Sequence, residues 1–561
     1  MKHRILCIIA SLVIIFTASQ KPPIGSAAQP QAPDVSPKVA EALQESDTVR
    51  VIIELNAPDV SQMSLSEQTE SVQIIQDDVL AGLSEPDFRL KRRFQTIPVL
   101  AGEVTVAGLK ALEASDKVVS IQLDLPIQAH DSASLNGLQA NLVHSAYGVT
   151  GQGVTVAVLD TGIDLDNPDF TGRIIAQHCF TDGDCQNNAG GDTSSDESAY
   201  ADDLNGHGTN VAGIIASNGL TYAETKGFAP AARLVAVRVL DYSGIGWTSD
   251  WLAGLEWIYA NIGSVPVKVI NMSLGTYTLY GNNCDGNFNS IASIINSLRS
   301  KGVAIFASTG NQGNSTALSA PACLSNVVGV GATYDGNIGR QPYINTYYDI
   351  YGGSWHSCYD GSTSLNTITC FTNSNAMMDI VAPGALITSS KLGGGTVTYC
   401  GTSQASPTAA GVAALMLEVN PWLTPAQIES TMQATGVAVV DAKNGLTFKR
   451  IDALKAVQSQ TTISISGNHI GLVDEATTFT AVVDPFASTL PITYTWQVDG
   501  FAPYISTNPN INTAKYIFDT SGYKQINLSV TNGGGTFTDS HTIYIFASLP
   551  HKVYLPLIMQ K

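Results

Sequence analysis

Between residues 150 and 458 the apolar positions come in solid runs, at 154–160, 234–240, 267–272 and 303–307. Unbroken β-branched runs of that length are strands buried on both faces, the mark of a parallel sheet. Helical stretches at 250–261 and 290–301 separate them. The prediction is an α/β domain whose ligands bind at the carboxyl ends of the strands. Upstream, strands at 48–55, 102–106 and 117–123 alternate with helices at 68–83 and 107–115, which reads as a small α+β domain over 46–130. Beyond residue 461 short segments alternate strictly, at 462–466, 477–482, 492–498, 515–518, 523–530 and 536–545. Such strands, with turns between them, predict an all-β sandwich over 461–546, with Trp496 in its core.

The two ends fit none of these patterns. Lys2, His3 and Arg4 precede an apolar run at 5–18 and the small residues Ser26, Ala27 and Ala28, so 1–28 reads as a signal peptide. A Pro/Ala-rich linker is expected at 29–45 and a short apolar tail at 547–561. No other stretch is long and apolar enough to span a bilayer, so the mature chain is expected to be secreted, with no transmembrane segment. A formal charge of −19 argues against nucleic acid or an anionic membrane as partner. A soluble monomer is expected. Export implies an oxidising compartment, where disulfides persist. Of the eight cysteines, Cys7 leaves with the signal peptide. Nearness along the chain pairs Cys179 with Cys185 and Cys358 with Cys370. Cys284 precedes a helix, Cys323 follows a strand, and these two form the third candidate pair. Cys400 is left over, as a thiol or as a rival partner for Cys358 or Cys370.

Three motifs stand at element boundaries. The run at 154–160 ends in Asp160-Thr161-Gly162, which delivers a carboxylate at the carboxyl end of a buried strand. Gly206-His207-Gly208 opens a helix of small residues. Gly401-Thr402-Ser403 leads into an Ala-rich helix at 408–419. A serine there is held rigidly beside backbone N–H groups that can stabilise negative charge. An ordinary Ser/Thr helix cap would look the same locally; the order Asp, His, Ser is what sets it apart. On these motifs, residues 135–457 resemble the subtilisin-like serine proteases, the subtilases. Two positions depart from the family pattern. Asn210 stands where a second His is usual, and Gln404 where Met is commoner.

The resemblance implies a division of labour. Ser403 would be the nucleophile and His207 its base, with Asp160 holding the imidazole tautomer. Asn311, in Gly310-Asn311-Gln312-Gly313, would donate to the oxyanion together with the backbone N–H of Ser403. Ser273, Leu274 and Gly275 would form the edge on which a peptide pairs as an added strand. Ser308, Thr309 and Gly310 would line the pocket before the scissile bond. Residues 46–130 then match an inhibitor-type propeptide that caps the peptidase domain at 131–458, with the cut between Asp124 and Ser134. The C-terminal pattern around Trp496 and Tyr523 resembles polycystic-kidney-disease-type, Ig-like modules. The whole reads as a secreted serine endopeptidase acting on protein or peptide substrates, made as a self-processing zymogen with its own propeptide as inhibitor. The other class open to this scaffold is a binding or adhesion protein with a dead site, against which the four intact residues count. The chemistry requires no cofactor. Subtilases often bind structural calcium, and carboxylates are dense at 160–169, 182–184 and 192–203, but no metal ligand can be assigned.

Overall fold

The structure, a computed structural model, describes residues 33–57, 65–129, 138–186, 195–347, 354–460, 462–484, 492–508, 512–532 and 535–548. The signal peptide, part of the linker and most of the tail lie outside these residues.

Seven parallel strands form the centre: β1 (Thr155–Asp160), β2 (Ile174–Cys185), β3 (Arg233–Arg238), β4 (Val269–Met272), β5 (Ala304–Ser308), β6 (Val328–Tyr334) and β7 (Ile380–Ser390). Their order is β7-β6-β5-β4-β1-β3-β2, and four further strands, one of them parallel to β7, extend this into an eleven-stranded sheet. Every residue of β1, β4, β5 and β6 is buried, as the solid apolar runs require. Helices α1 (His207–Ala216), α2 (Thr248–Asn261), α3 (Asn289–Ser300) and α4 (Thr402–Val419) cover the sheet. Helix α4 is buried from Thr402 to Leu417, so its many alanines allow close approach on all sides. Strand order reverses between β1 and β4, which opens a crevice at their carboxyl ends.

The N-terminal unit has a five-stranded sheet of its own, with a core that includes Val51, Ile53, Leu100 and Ile121. Three of its elements depart from the expectation. Residues 33–45, assigned to a linker, carry the strand Asp34–Val35 and the helix Pro37–Glu45, whose Val39 is fully buried. The strand Phe88–Arg93 (FRLKRR) was hidden by its charge. Its basic side chains reach acids on neighbouring strands and on the peptidase domain. One face of this unit, including Ile52, Phe94 and Ala101, shares a core with Leu252 and Leu255 of α2.

The C-terminal unit packs a three-stranded sheet against a five-stranded one. Trp496, Tyr494, Phe479 and Ile543 fill the space between them, and Trp496 is fully buried. Disulfides join Cys179 to Cys185, Cys284 to Cys323 and Cys358 to Cys370. Cys400 belongs to none of them, and its Sγ accepts from Leu386 N at 3.2 Å.

Candidate active site

Asp160 is the last residue of β1, and its side chain is almost wholly buried. Oδ1 accepts from the N–H of Thr161 at 2.8 Å and from His207 Nδ1 at 2.6 Å. A carboxylate acceptor requires the Nδ1–H tautomer and leaves Nε2 as the basic atom of the ring. His207 opens α1 after Gly206, whose φ of 104° favours glycine. The two loops approach so closely that a Cβ on Gly208 would lie 2.0 Å from the carbonyl oxygen of Gly162. The glycines flanking His207 are therefore geometric requirements.

Asp203 ties these loops together. Its Oδ1 accepts from Thr161 Oγ1, Asn205 N and Gly206 N, each at 2.9 Å. Oδ2 accepts from Thr209 N at 2.9 Å and Thr209 Oγ1 at 2.6 Å. The Thr161 hydroxyl in turn accepts from Gly208 N at 2.9 Å. One carboxylate thus fixes both the residue after Asp160 and the turn that carries His207. Burial pushes its pKa up, against the hydrogen bonds from Gly206, Thr209 and Asn205 that pull the other way. Sequence reasoning passed over Asp203 because it ends an Asp-rich stretch that reads as solvated loop. Its place four residues before His207, ahead of a helix start, was the available signal.

Ser403 is the second residue of α4. Four residues later comes Pro407, inside the helix, which has no N–H to return to the Ser403 carbonyl. The Ser273 hydroxyl supplies the missing donor at 2.6 Å, while Ser403 Oγ donates to the Ser273 carbonyl at 3.1 Å. Ser273 is held by Asn271 Nδ2 at 2.9 Å, and Asn271 Oδ1 accepts from Ser406 Oγ at 2.7 Å. This ring of neutral bonds ties the strand end at β4 to the start of α4.

Asn311 follows β5 and Gly310, the latter at a φ of 99°. Its Oδ1 accepts from Thr402 N at 2.8 Å and Thr402 Oγ1 at 2.9 Å. With Oδ1 occupied, Nδ2 is the free end, and it is buried with no acceptor among the described residues. A buried donor without a partner costs ~1–3 kcal/mol, so this one is poised for an acceptor that arrives from outside. The two departures also meet, because Gln404 Nε2 reaches Asn210 Oδ1 at 3.4 Å.

The expected substrate edge is already paired. Leu274–Thr276 runs antiparallel to Pro126–Ala129, with Leu274 opposite Ala129 and Gly275 opposite Gln128. On the other side Pro126–Ala129 pairs with Ile245–Trp247. Ser308 and Thr309 are fully buried, and Ser308 Oγ braces the Leu274 carbonyl at 3.3 Å. Among the described residues no group of three or more His, Cys, Asp or Glu side chains is placed to hold a metal ion.

A parallel α/β sheet with an Asp–His pair, a helix-borne serine and an unpaired amide donor at its carboxyl edge defines a class, the hydrolases that work through a serine. Comparison narrows it. Residues 151–454 match the model of the subtilase family. The chain is 32% identical over 410 residues to an alkaline protease of Shouchella clausii, covering 72% of this chain and 90% of that one. It is 30% identical over 482 residues to the alkaline serine exoprotease A of Vibrio alginolyticus, covering 81% and 78%. A solved cold-adapted subtilisin-like serine proteinase aligns with a TM-score of 0.40 at 29% identity, covering 54% and 90%. This chain belongs to the subtilase family and is a serine-type endopeptidase.

Proposed function

We propose that the protein is a secreted, self-processing peptidase in which Ser403, His207, Asp160 and Asn311 carry the chemistry. Ser403 is a weak nucleophile until His207 Nε2 takes its proton. A turn about χ1 takes Oγ from the Ser273 carbonyl towards that base. Asp160 keeps the proton on Nδ1 and stabilises the imidazolium that forms. Asn311 Nδ2 and the backbone N–H of Ser403 stabilise the oxyanion, and His207 then protonates the leaving amine. The observation that carries this reading is the unpaired Nδ2 of Asn311, anchored through Oδ1 to the residue beside Ser403.

Residues 33–129 act on this reading as propeptide and inhibitor. Their last strand occupies the cleft edges that a substrate would use. Cleavage then falls beyond Ala129, within the upper half of the interval 124–134. Several contacts hold the unit in place. Arg50 Nε meets Asp124 at 3.0 Å and Arg92 reaches Asp250 at 2.9 Å. Asp124 accepts from Ser249 N at 2.8 Å in the first turn of α2, where an anion is favoured. Secretion is supported by the basic and apolar leader and the three disulfides; no helix among the described residues is long and apolar enough to cross a membrane. The C-terminal unit is an Ig-like module of polycystic-kidney-disease type, and the mature protein is a monomer. Casein hydrolysis by the processed protein, with and without a serine-directed phosphonate, tests the reading. Hydrolysis that the phosphonate leaves untouched would overturn it.

A further inference from the structure

Beside Asn311 lies a half-open cavity of about 270 Å³ that the acyl-transfer chemistry leaves unused. Asn311, Gln312 and Gly313 form one side of it. Tyr343, Tyr359 and Phe371 form the other, with the Cys358–Cys370 bridge between them. Tyr343 and Tyr359 come from an antiparallel hairpin, Gln341–Tyr347 with Ser354–Asp360, that stands apart from the central sheet. The bridge ties that hairpin to Phe371, and the rings of Tyr343 and Phe371 lie 4.2 Å apart.

We infer that this cavity is a specificity pocket on the leaving-group side of the cut, and that it takes one aromatic side chain of the substrate. Its position relative to the reacting atoms is the first argument. The strand Pro126–Ala129 marks the acyl side, between Ile245–Trp247 and Leu274–Thr276. None of those edge residues lines the cavity, nor does any of Ser308, Thr309 and Gly310. It shares Asn311 with the oxyanion site, and the Tyr343 hydroxyl donates to the carbonyl of Cys400 at 3.4 Å, three residues before Ser403. A peptide that enters between the two edges and passes Ser403 meets this wall next.

Chemistry selects the occupant. Three aromatic rings and a disulfide make the wall apolar, and aromatic pairs in such walls gain ~0.5–1.5 kcal/mol beyond area burial. Lys443 at the margin is neutralised by Asp441 at 2.9 Å, so the pocket favours no charge. Gln312 Nε2 is buried without an acceptor among the described residues, which suits a tyrosine hydroxyl or a main-chain carbonyl of the guest. The volume falls just below the usual range for small-molecule sites, about 300–1,000 Å³, and suits one side chain.

The proposal rests on the peptidase reading, and the test separates the two. Quenched peptides with one acyl sequence would carry Phe, Leu, Lys, Asp or Gly at the first or second position after the cut. A methyl ester with the same acyl sequence carries neither a leaving-group peptide nor an aromatic leaving group. At one of the two positions Phe should exceed Gly by about tenfold in kcat/KM, in the range that filling an apolar pocket gives. Tyr359→Ser should shrink that ratio to about twofold and leave ester turnover unchanged, and Tyr359→Phe should restore it. In the unaltered enzyme, the acyl intermediate should partition to phenylalanine amide over glycine amide, a readout that needs no variant. Equal rates for Phe and Gly at both positions, or a Phe preference that survives Tyr359→Ser, would overturn the pocket while ester turnover still upheld the peptidase. Absence of ester turnover by the unaltered enzyme would overturn both.

Discussion

The catalytic cleft and the surface that holds the N-terminal unit are built from different interactions. In the cleft, Ser273, Asn271 and Ser406 bond one another through neutral groups, as do Thr402 and Asn311, and Asp160 and Asp203 each act as a single carboxylate bound to neutral partners. Beneath the N-terminal unit the contacts are ionic or titratable. Arg50 spans Asp124 and Asp182, Arg92 meets Asp250, and Glu256 accepts from Thr96 Oγ1 at 2.9 Å and Ile97 N at 3.2 Å. Neutral hydrogen bonds hold over a wide pH range. Buried carboxylates hold only while their protonation suits them. On the proposed reading, the difference separates a part built to persist from a part built to leave.

The sharpest way to break the comparison is to remove the nucleophile. Ser403→Ala should lower peptidase activity by at least ~10⁴-fold and leave the full-length precursor uncut. Electrophoresis of protein from a protease-free host checks this, and normal maturation of the variant would refute self-cleavage.

A smaller effect is expected at the unpaired amide. Asn311→Ala should cost about 10²–10³ in kcat with KM little changed, because Nδ2 finds its acceptor only as the oxyanion forms. That range is the one known for the matching donor of subtilisin, a relative of this chain, so only its order of magnitude carries over. A matching rise in KM would move Asn311 from the chemistry to ground-state binding.

The ionic surface should respond to pH through its buried carboxylates. Burial under the N-terminal unit pushes Asp250 and Glu256 up to about 7. For Asp250, Arg92 and Arg50 pull down while Asp124 pushes up; for Glu256, the opposing groups are backbone N–H donors of residues 95–97 and the Thr96 hydroxyl. Both acids return to ordinary carboxylate values once exposed. Docking is therefore fully favoured below that ordinary range and weakens as pH rises through about 7. Residues 33–129 added in trans should inhibit the mature enzyme at least about tenfold more tightly at about pH 5.5 than at about pH 8. Inhibition constants at the two pH values decide it, and Glu256→Gln should flatten the difference.

Least change is expected from removing the C-terminal sandwich, whose core is separate from that of the peptidase domain. A chain ending after Gln460 should turn over a small anilide within about twofold of the full protein. A larger loss in soluble, folded protein would tie the sandwich to the cleft.

Legibility followed the same division. Asp160, His207 and Ser403 lie where a buried strand or helix meets small residues, so periodicity and punctuation pointed at them. Cys358 and Cys370 were near enough in sequence to pair. Asp203 was not legible, because its role comes from folding an acidic loop back onto Thr161 and Thr209. Arg92 and Glu256 carry no local sequence signal, because their partners belong to the other unit. The paired strands at 341–347 and 354–360 have no apolar period, and Tyr343 and Tyr359 line a cavity.

The three bridges close intervals of 6, 39 and 12 residues, all between Cys179 and Cys370. Residues 33–129 contain no cysteine. A cut beyond Ala129 therefore yields two pieces with no covalent link, and they part on a denaturing gel without reductant. A nick at 180–184, 285–322 or 359–369 leaves the chain at full mass until reductant is added. Paired lanes, reduced and unreduced, distinguish a maturing enzyme from one that is digesting itself.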